Sequence, residues 1–343
     1  MSNRSFVSAI VSFSSIFSIC SIVAITFFQS CTKDPTRPKI QIKTKAVTQL
    51  TGLSANSGGE ITYAGLDQIT AKGVVWSTNP GPTVALATKT IDGTGVNNFT
   101  SSISALQQNV TYHLRAYATS ASGTDYGNEI SFTTNTIDIK TGLVAFYPFT
   151  GNANDSSGNG NHGVVNGPKL TKDRFNNTNS AYSFTGNQIT VPHNPALNLT
   201  GAFTITLWYV TSEYLNPQDL VIKGQDNTVG SWWTRIHTSS AKSPGAWFGL
   251  RQNGSGITTT NATTLVTNAW MHFAVVISGT TAKLYLNGKL SNTLLNIDLS
   301  NSASNTSPLT IGKVQYPFNG KMDDIKIYNR SLSEEEITYL ANN

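Results

Sequence analysis

The sequence predicts an all-β chain of two successive sandwich domains, and three observations carry that prediction. Apolar and polar residues alternate along short runs. In residues 111–118, Tyr112, Leu114 and Ala116 share one face while His113, Arg115 and Tyr117 share the other. Turn-forming clusters such as Ser57-Gly58-Gly59, residues 79–82 (NPGP) and residues 92–95 (DGTG) separate the runs. Charged residues are only 12% of the 343, aromatics are 10%, and there are 28 glycines. That balance belongs to turn-rich extracellular β proteins rather than helical ones. The apolar share of 38% is enough to build packed cores. Net charge is +5, but Lys and Arg are scattered, with no basic run interleaved with aromatics, so nothing supports nucleic-acid binding.

The first element is a targeting segment. Arg4 precedes an apolar stretch over residues 6–28, and Ser30-Cys31 follows. A basic start, an apolar middle and a small residue before the cut are the parts of a secretory signal, here residues 1–30. About 20 apolar residues can also span a bilayer, so a retained anchor is the alternative. Residues 28–31 (FQSC) resemble a relaxed lipobox of the kind found in Bacteroidetes lipoproteins, with Phe28 and Gln29 departing from the stricter pattern. The resemblance implies acylation of Cys31. Cys20 would leave with the signal, so the mature chain would have no pair to oxidise. Residues 32–34 (TKD) resemble the export signal of surface-exposed lipoproteins in that phylum, which implies an outer-membrane location facing the exterior.

A short polar tether over residues 31–38 leads to a first domain, residues 39–134. Residues 106–112 (LQQNVTY) look like the tyrosine corner of fibronectin type III domains, with Gln108 or Asn109 in place of the usual proline. Residues 72–78 (KGVVWST), 117–123 (YATSASG) and 126–132 (YGNEISF) resemble a fibronectin type III variety common in Bacteroidetes surface proteins. The resemblance implies an immunoglobulin-like sandwich acting as a spacer, with Trp76 in its core.

Residues 135–141 link to a second domain, residues 142–343. Residues 203–210 (FTITLWYV) alternate, and residues 270–277 (WMHFAVVI) read as a strand buried on both faces. Asn287-Gly288 tolerates the positive φ of a type I′ turn and predicts a hairpin. Only the end reads helical: Ser333 with Glu336 forms a capping box, and Leu332 can staple to Ile337. Residues 142–149 (GLVAFYPF), 154–163 (NDSSGNGNHG), 181–186 (AYSFTG), the Trp208 and Trp270 strands, 284–288 (LYLNG) and 320–330 (GKMDDIKIYNR) follow in the order of the laminin-G-like family. The resemblance implies a concanavalin A-like jelly roll, with Trp208 and Trp270 filling the sandwich.

Two candidate sites follow. With a strand period of two, Asp323 shares a face with Ile325 and Ile327, and an inward carboxylate needs neutralising. Residues 154–162 form a dense oxygen-donor loop whose glycines let carbonyls turn inward. Ca²⁺ takes six to eight hard oxygens, so Asp155 and Asp323, assisted by Asn159 or Asn161, form a candidate calcium clamp. In the alternative, Asp155 caps its own turn and Asp323 pairs with Lys or Arg. The second candidate is a sugar-stacking surface from Trp232, Trp233, Trp247 and Tyr214, with Arg235 nearby; in its alternative those rings fill the core. The sequence shows no carboxylate run of the jelly-roll glycosidase kind, no nucleophile elbow and no phosphate loop. The reading is a non-catalytic binding protein for an extracellular glycan or glycoprotein. The alternatives are an adhesion component without sugar specificity and, behind it, a glycoside hydrolase.

Overall fold

The computed structural model describes residues 39–214, 216–225, 228–238, 244–251, 256–260, 265–297, 304–312 and 315–343. The expected signal, Cys31 and the tether lie outside the described residues. The first domain contains β1 (Gln41–Thr44), β2 (Ala55–Tyr63), β3 (Ala71–Ser77), β4 (Phe99–Ile103), β5 (Thr111–Ser120), β6 (Gly123–Tyr126) and β7 (Ile130–Thr133). Its sheet β1-β2-β4 faces the sheet β3-β5-β6, with β7 also on β5. The inward set includes Val74, Phe99, Ile103, Leu114, Ala116 and Phe132. The Tyr112 hydroxyl accepts from the Gln107 N–H at 3.1 Å, which ties the start of β5 to the segment before it.

Ser57-Gly58-Gly59 is not a turn but the middle of β2. The glycines are there for close approach. A Cβ on Gly58 would lie 2.1 Å from the Phe99 carbonyl oxygen, and one on Gly59 would lie 2.5 Å from the Phe99 ring.

The second domain contains β8 (Leu143–Tyr147), β9 (Val164–Asn166), β10 (Lys169–Thr171), β11 (Ala181–Thr185), β12 (Gln188–Val191), β13 (Phe203–Thr211), β14 (Gln218–Lys223), β15 (Trp232–Thr238), β16 (Pro244–Arg251), β17 (Gly256–Thr260), β18 (Met271–Ser278), β19 (Thr281–Leu286), β20 (Lys289–Leu294), β21 (Leu309–Ile311), β22 (Asn319–Tyr328) and the helix α1 (Glu334–Asn342). Among the described residues one sheet runs β10-β11-β22-β13-β18-β19-β20, with β8 also on β22, and the other runs β17-β16-β15-β14-β21-β12-β9. All of these pairings are antiparallel. Strands β13 and β18 send alternate residues, Ile205, Leu207, Phe273 and Val275 among them, to a core of Leu, Ile, Val, Phe and Tyr that also takes Ile325 and Ile327 of β22. The core also takes Trp232. Trp208 and Trp270 are not part of it: both are half-buried.

The hairpin forms as predicted, with Leu286 opposite Lys289 and positive φ at Asn287 (48°) and Gly288 (75°). The helix is capped by Ser333 and Glu336. Its buried Ile337 and Leu340 join Leu332, Val276, Tyr285 and Tyr328, so α1 covers part of the outer face of the first of these sheets. The linker is bonded on both sides. Ile137 N–H donates to Gln108, the Tyr328 hydroxyl donates to the Ile139 carbonyl, and Arg330 donates to the carbonyls of Thr141 and Asp138.

Candidate functional site

Strand β15 decides which aromatic residues can meet a ligand. Adjacent tryptophans must point to opposite faces of a strand. Trp232 and Ile236 go into the core. Trp232 is fully buried and its indole Nε1 donates to the Leu197 carbonyl at 3.1 Å. Tyr214 is buried too, and its hydroxyl donates to the Val266 carbonyl at 3.0 Å. Neither ring can stack on a sugar, which corrects the expectation for both residues.

Trp233 and Arg235 point outward. Trp233 sits opposite Gly249 of β16, and a Cβ there would fall 2.0 Å from the indole. Glycine at 249 therefore lets the ring lie against the β16 backbone. Arg235 sits opposite Trp247 on one side and Asp219 on the other. Its Nε donates to Asp219 Oδ1 at 2.7 Å, and its guanidinium lies 4.3 Å from the Tyr316 ring centroid and 5.7 Å from that of Trp233. Asp219 Oδ2 accepts the N–H groups of Gln315 (3.1 Å) and Tyr316 (3.0 Å), which pins the segment carrying Tyr316 over the sheet. The result is a row of Trp233, Arg235, Tyr316 and Trp247 on the outer face, with Trp247 and Tyr316 half-buried and the other two nearly closed to solvent. The half-exposed rings of Trp247 and Tyr316 beside a guanidinium offer flat apolar faces and a directional donor together, with Trp233 packed behind them.

Tyr316 and Asp219 were missed in the sequence. A register shift between Asp219 and Val221 breaks the alternation of β14, so Leu220 and Val221 both reach the core while Asp219 faces out. The only sequence signal was a carboxylate beside an apolar strand.

The expected calcium clamp does not assemble, because its two acids have separate partners. Asp155 Oδ1 accepts from the N–H of Phe146 (2.9 Å) and of Ser157 (2.8 Å). Its Oδ2 accepts from Ser157 Oγ (2.8 Å) and the Asn161 N–H (2.9 Å). Burial pushes this carboxyl up, but the four hydrogen bonds outweigh it and leave the pKa below its ordinary value. The amide nitrogens of Asn159 and Asn161 donate to the Val144 carbonyl, so the loop is stitched to β8 by its own donors.

Asp323 is on the other side of the sheet from the core. Asp324 has φ +47° and the register with β13 shifts there, so Met322 faces in opposite Tyr209 and Asp323 faces out opposite Trp208. Arg174 Nη1 donates to Asp323 Oδ2 at 2.9 Å and pairs with Asp324 Oδ2 at 2.8 Å, and Lys326 lies 3.5 Å from Asp324. Arg174 thus supplies the neutralising charge, as the alternative reading had it. The guanidinium is held over Trp208 (4.8 Å) and Phe175 (4.4 Å). Burial and the neighbouring Asp324 push the Asp323 carboxyl up to about 7, against the pull of Arg174. Beside Trp208, His272 is 1% exposed, and neither ring nitrogen has a hydrogen-bond partner among the described residues; burial, with Lys326 and Arg174, pushes it down to about 3. Among the described residues no group of three or more His, Cys, Asp or Glu gathers at metal-binding distance.

Residues 184–338 match the family described as the concanavalin A-like lectin/glucanases superfamily, so a jelly-roll domain of that kind is present. No curated protein matches the chain. Among solved structures, the chain is similar to the binding domain of botulinum neurotoxin serotype D/C, with 19% identity, 60% of this chain and 53% of that one covered, and a TM-score of 0.48. It is similar to the serotype D binding domain at 17% identity, with 60% and 52% covered and a TM-score of 0.48. It is also similar to domain 4 of AbnA, an extracellular GH43 arabinanase from Geobacillus stearothermophilus solved with arabinotriose. That match has 20% identity, 58% and 98% covered, and a TM-score of 0.44. The chain spans about half the length of the neurotoxin domains it matches.

Proposed function

We propose that the chain is a non-catalytic, surface-held binding protein whose jelly roll takes carbohydrate or glycoprotein on the outer face of the sheet containing β14, β15 and β16. The fibronectin type III-like first domain serves as a spacer, and Cys31 carries the lipid that holds the protein to the outer membrane. The observation that carries the binding reading is the register of Trp233, Arg235 and Trp247 across two strands, with Tyr316 folded over the same guanidinium. Sugar rings present apolar C–H faces that stack on aromatic rings, and their hydroxyls or carboxylates accept from guanidinium.

A glycosidase needs two carboxyl groups flanking the scissile bond, one of them free to take or give a proton. Asp219 is the acid in this row, and its oxygens accept from Arg235, Gln315 and Tyr316. That supports binding without turnover.

A glycan panel with the purified chain tests the reading. Trp247→Ala is expected to weaken glycan binding by about tenfold or more, the loss of one stacking face, with little change in Tm. Trp232→Ala is expected to lower Tm sharply, because it empties a core position at a cost of about 3–5 kcal/mol. Equal glycan binding by Trp247→Ala and the parent would refute the site, and polysaccharide turnover by the parent would refute the non-catalytic reading. A specific protein partner with no glycan binding would turn the assignment to protein recognition.

A further inference from the structure

The pole of the first domain from which the chain leads back toward residue 38 also carries four of the five large apolar side chains exposed among that domain's described residues. Strand β1 starts there: Gln41 pairs with Tyr63 at the end of β2, and the Ile40 N–H donates to Asp125 Oδ2 at 2.9 Å. Residues 64–70 and 91–97 meet at the same pole through Gly95 N–H to the Ile69 carbonyl and Lys72 N–H to the Gly93 carbonyl. Four large apolar side chains project from it: Leu66 is 84% exposed, Ile91 73%, Val96 55% and Tyr63 44%. Three of its acids, each half-buried, accept hydrogen bonds from within the domain. Asp67 accepts from Ser122 Oγ, Asp92 from Thr90 Oγ1 and Ser101 Oγ, and Asp125 from the Ile40 N–H. Lone exposed apolar residues are ordinary, but four around one pole, with these three carboxylates internally satisfied, mark a contact surface.

The chain length outside the domain identifies the contact. Only seven residues separate Cys31 from Lys39, and residues 6–28 are an apolar stretch. Eight Cα steps reach at most about 28 Å, so an anchor at Cys31 holds this pole within one tether length of the bilayer. We infer that this pole of the first domain rests on the lipid surface, with Tyr63, Leu66, Ile91 and Val96 dipping into the interface. The inference rests on the anchor reading above. Acyl chains on Cys31 would hold the protein to the bilayer but leave its orientation free, and apolar side chains lying in the interface fix that orientation. The jelly roll would then stand away from the membrane, at the far end of the spacer.

The test uses the full chain, purified from membranes and reconstituted in phosphatidylcholine–phosphatidylethanolamine vesicles containing a nitroxide lipid. A fluorophore is placed on Thr94→Cys, between Ile91 and Val96, or on Gln107→Cys at the opposite pole. Quenching at 94 is expected to exceed that at 107 by at least about twofold, as for a group at headgroup depth. It is expected to disappear when Leu66→Ser, Ile91→Ser and Val96→Ser are combined. These positions are exposed, so the fold should be unaffected, and an unchanged Tm checks that. A chain that floats with vesicles but shows equal quenching at both poles overturns the seating and leaves the anchor. A chain that does not float, or a parent whose Cys31 reacts with the fluorophore, overturns both. A label at 94 that shifts blue with protein concentration in detergent assigns the patch to a second copy and overturns the inference.

Discussion

The two outer faces of the jelly roll repeat one device with opposite consequences. On each, a strand slips register beside an aspartate: β14 between Asp219 and Val221, and β22 around Asp324. On each, an arginine pairs with that aspartate and lies between two aromatic rings, Arg235 between Tyr316 and Trp233, Arg174 between Trp208 and Phe175. The difference is stoichiometry. Asp219 accepts from Arg235 and from two backbone N–H groups, whereas Asp323 shares Arg174 Nη1 with Asp324. The first arrangement is fully compensated, so it gives a rigid platform. The second leaves a carboxyl whose ionisation is contested, next to a histidine kept neutral. Charge sensitivity is thus concentrated on the face that α1 partly covers, away from the proposed binding row.

The largest expected effect tests how complete the compensation around Asp219 is. Asp219→Ala removes the acceptor of one guanidinium N–H of the nearly buried Arg235 and of two backbone N–H groups. It is expected to cost about 3–5 kcal/mol, read as a drop in ΔG from urea unfolding. Replacing the pair together, Asp219→Leu with Arg235→Met, should recover most of that loss, since well-packed apolar pairs often substitute for buried ion pairs. A double variant as unstable as the single one would mean that the row is held by the amide bonds to Gln315 and Tyr316 rather than by the charge pair.

The second effect is pH dependence, and its sign differs for the two groups on the other face. Asp323, raised to about 7, holds a proton in the folded state where the unfolded chain has lost it. Its contribution therefore falls as pH rises from about 4 to 7. His272, lowered to about 3, stays neutral in the folded state where the unfolded chain is protonated. Its contribution therefore rises with pH from about 3 to 6.5. The two oppose each other between about pH 4 and 6.5. Relative to the parent, Asp323→Asn should gain stability as pH rises through that window, and His272→Phe should lose it, each by up to about 3 kcal/mol. Unfolding curves at pH 4.5 and 6.5 check this. Parallel profiles for the parent and both variants would show that the cluster does not titrate there, and the contrast between the faces would fail.

These register slips are also where the sequence stopped being readable. Alternation works while one residue opposes one partner. It placed Tyr112, Leu114 and Ala116 correctly, and the Asn287-Gly288 hairpin and the Ser333 cap are local enough to read without tertiary context. One inserted residue flips every side chain beyond it, and nothing in residues 322–325 announces that Asp324 adopts the left-handed conformation. Asp323 therefore read as a core carboxylate seeking a metal, when its face belongs to Trp208. The paired tryptophans failed for the same reason. Two neighbours on a strand cannot share a face, but only the core contacts of Trp232 show which one is inside. Arg174 and Tyr316 come from distant segments, so their meeting with Asp323 and Arg235 has no trace in local pattern.

The smallest effect separates cover from platform. The helix α1 is short, and its first turn depends on Ser333 Oγ accepting the Glu336 N–H while Glu336 accepts the Ser333 N–H. The same Glu336 pairs with Arg330 at 2.6 Å, which joins the cap to the linker. Ser333→Ala is expected to cost about 1 kcal/mol and to speed amide exchange around Ile337 and Leu340, whose burial against Tyr285 and Tyr328 depends on that helix. Glycan affinity should not change, because no residue of the Trp233–Trp247 row lies on the face that α1 covers. If Ser333→Ala weakened glycan binding while leaving global stability within about 1 kcal/mol of the parent, the two outer faces would be coupled through the core, and the division of labour between them would not hold.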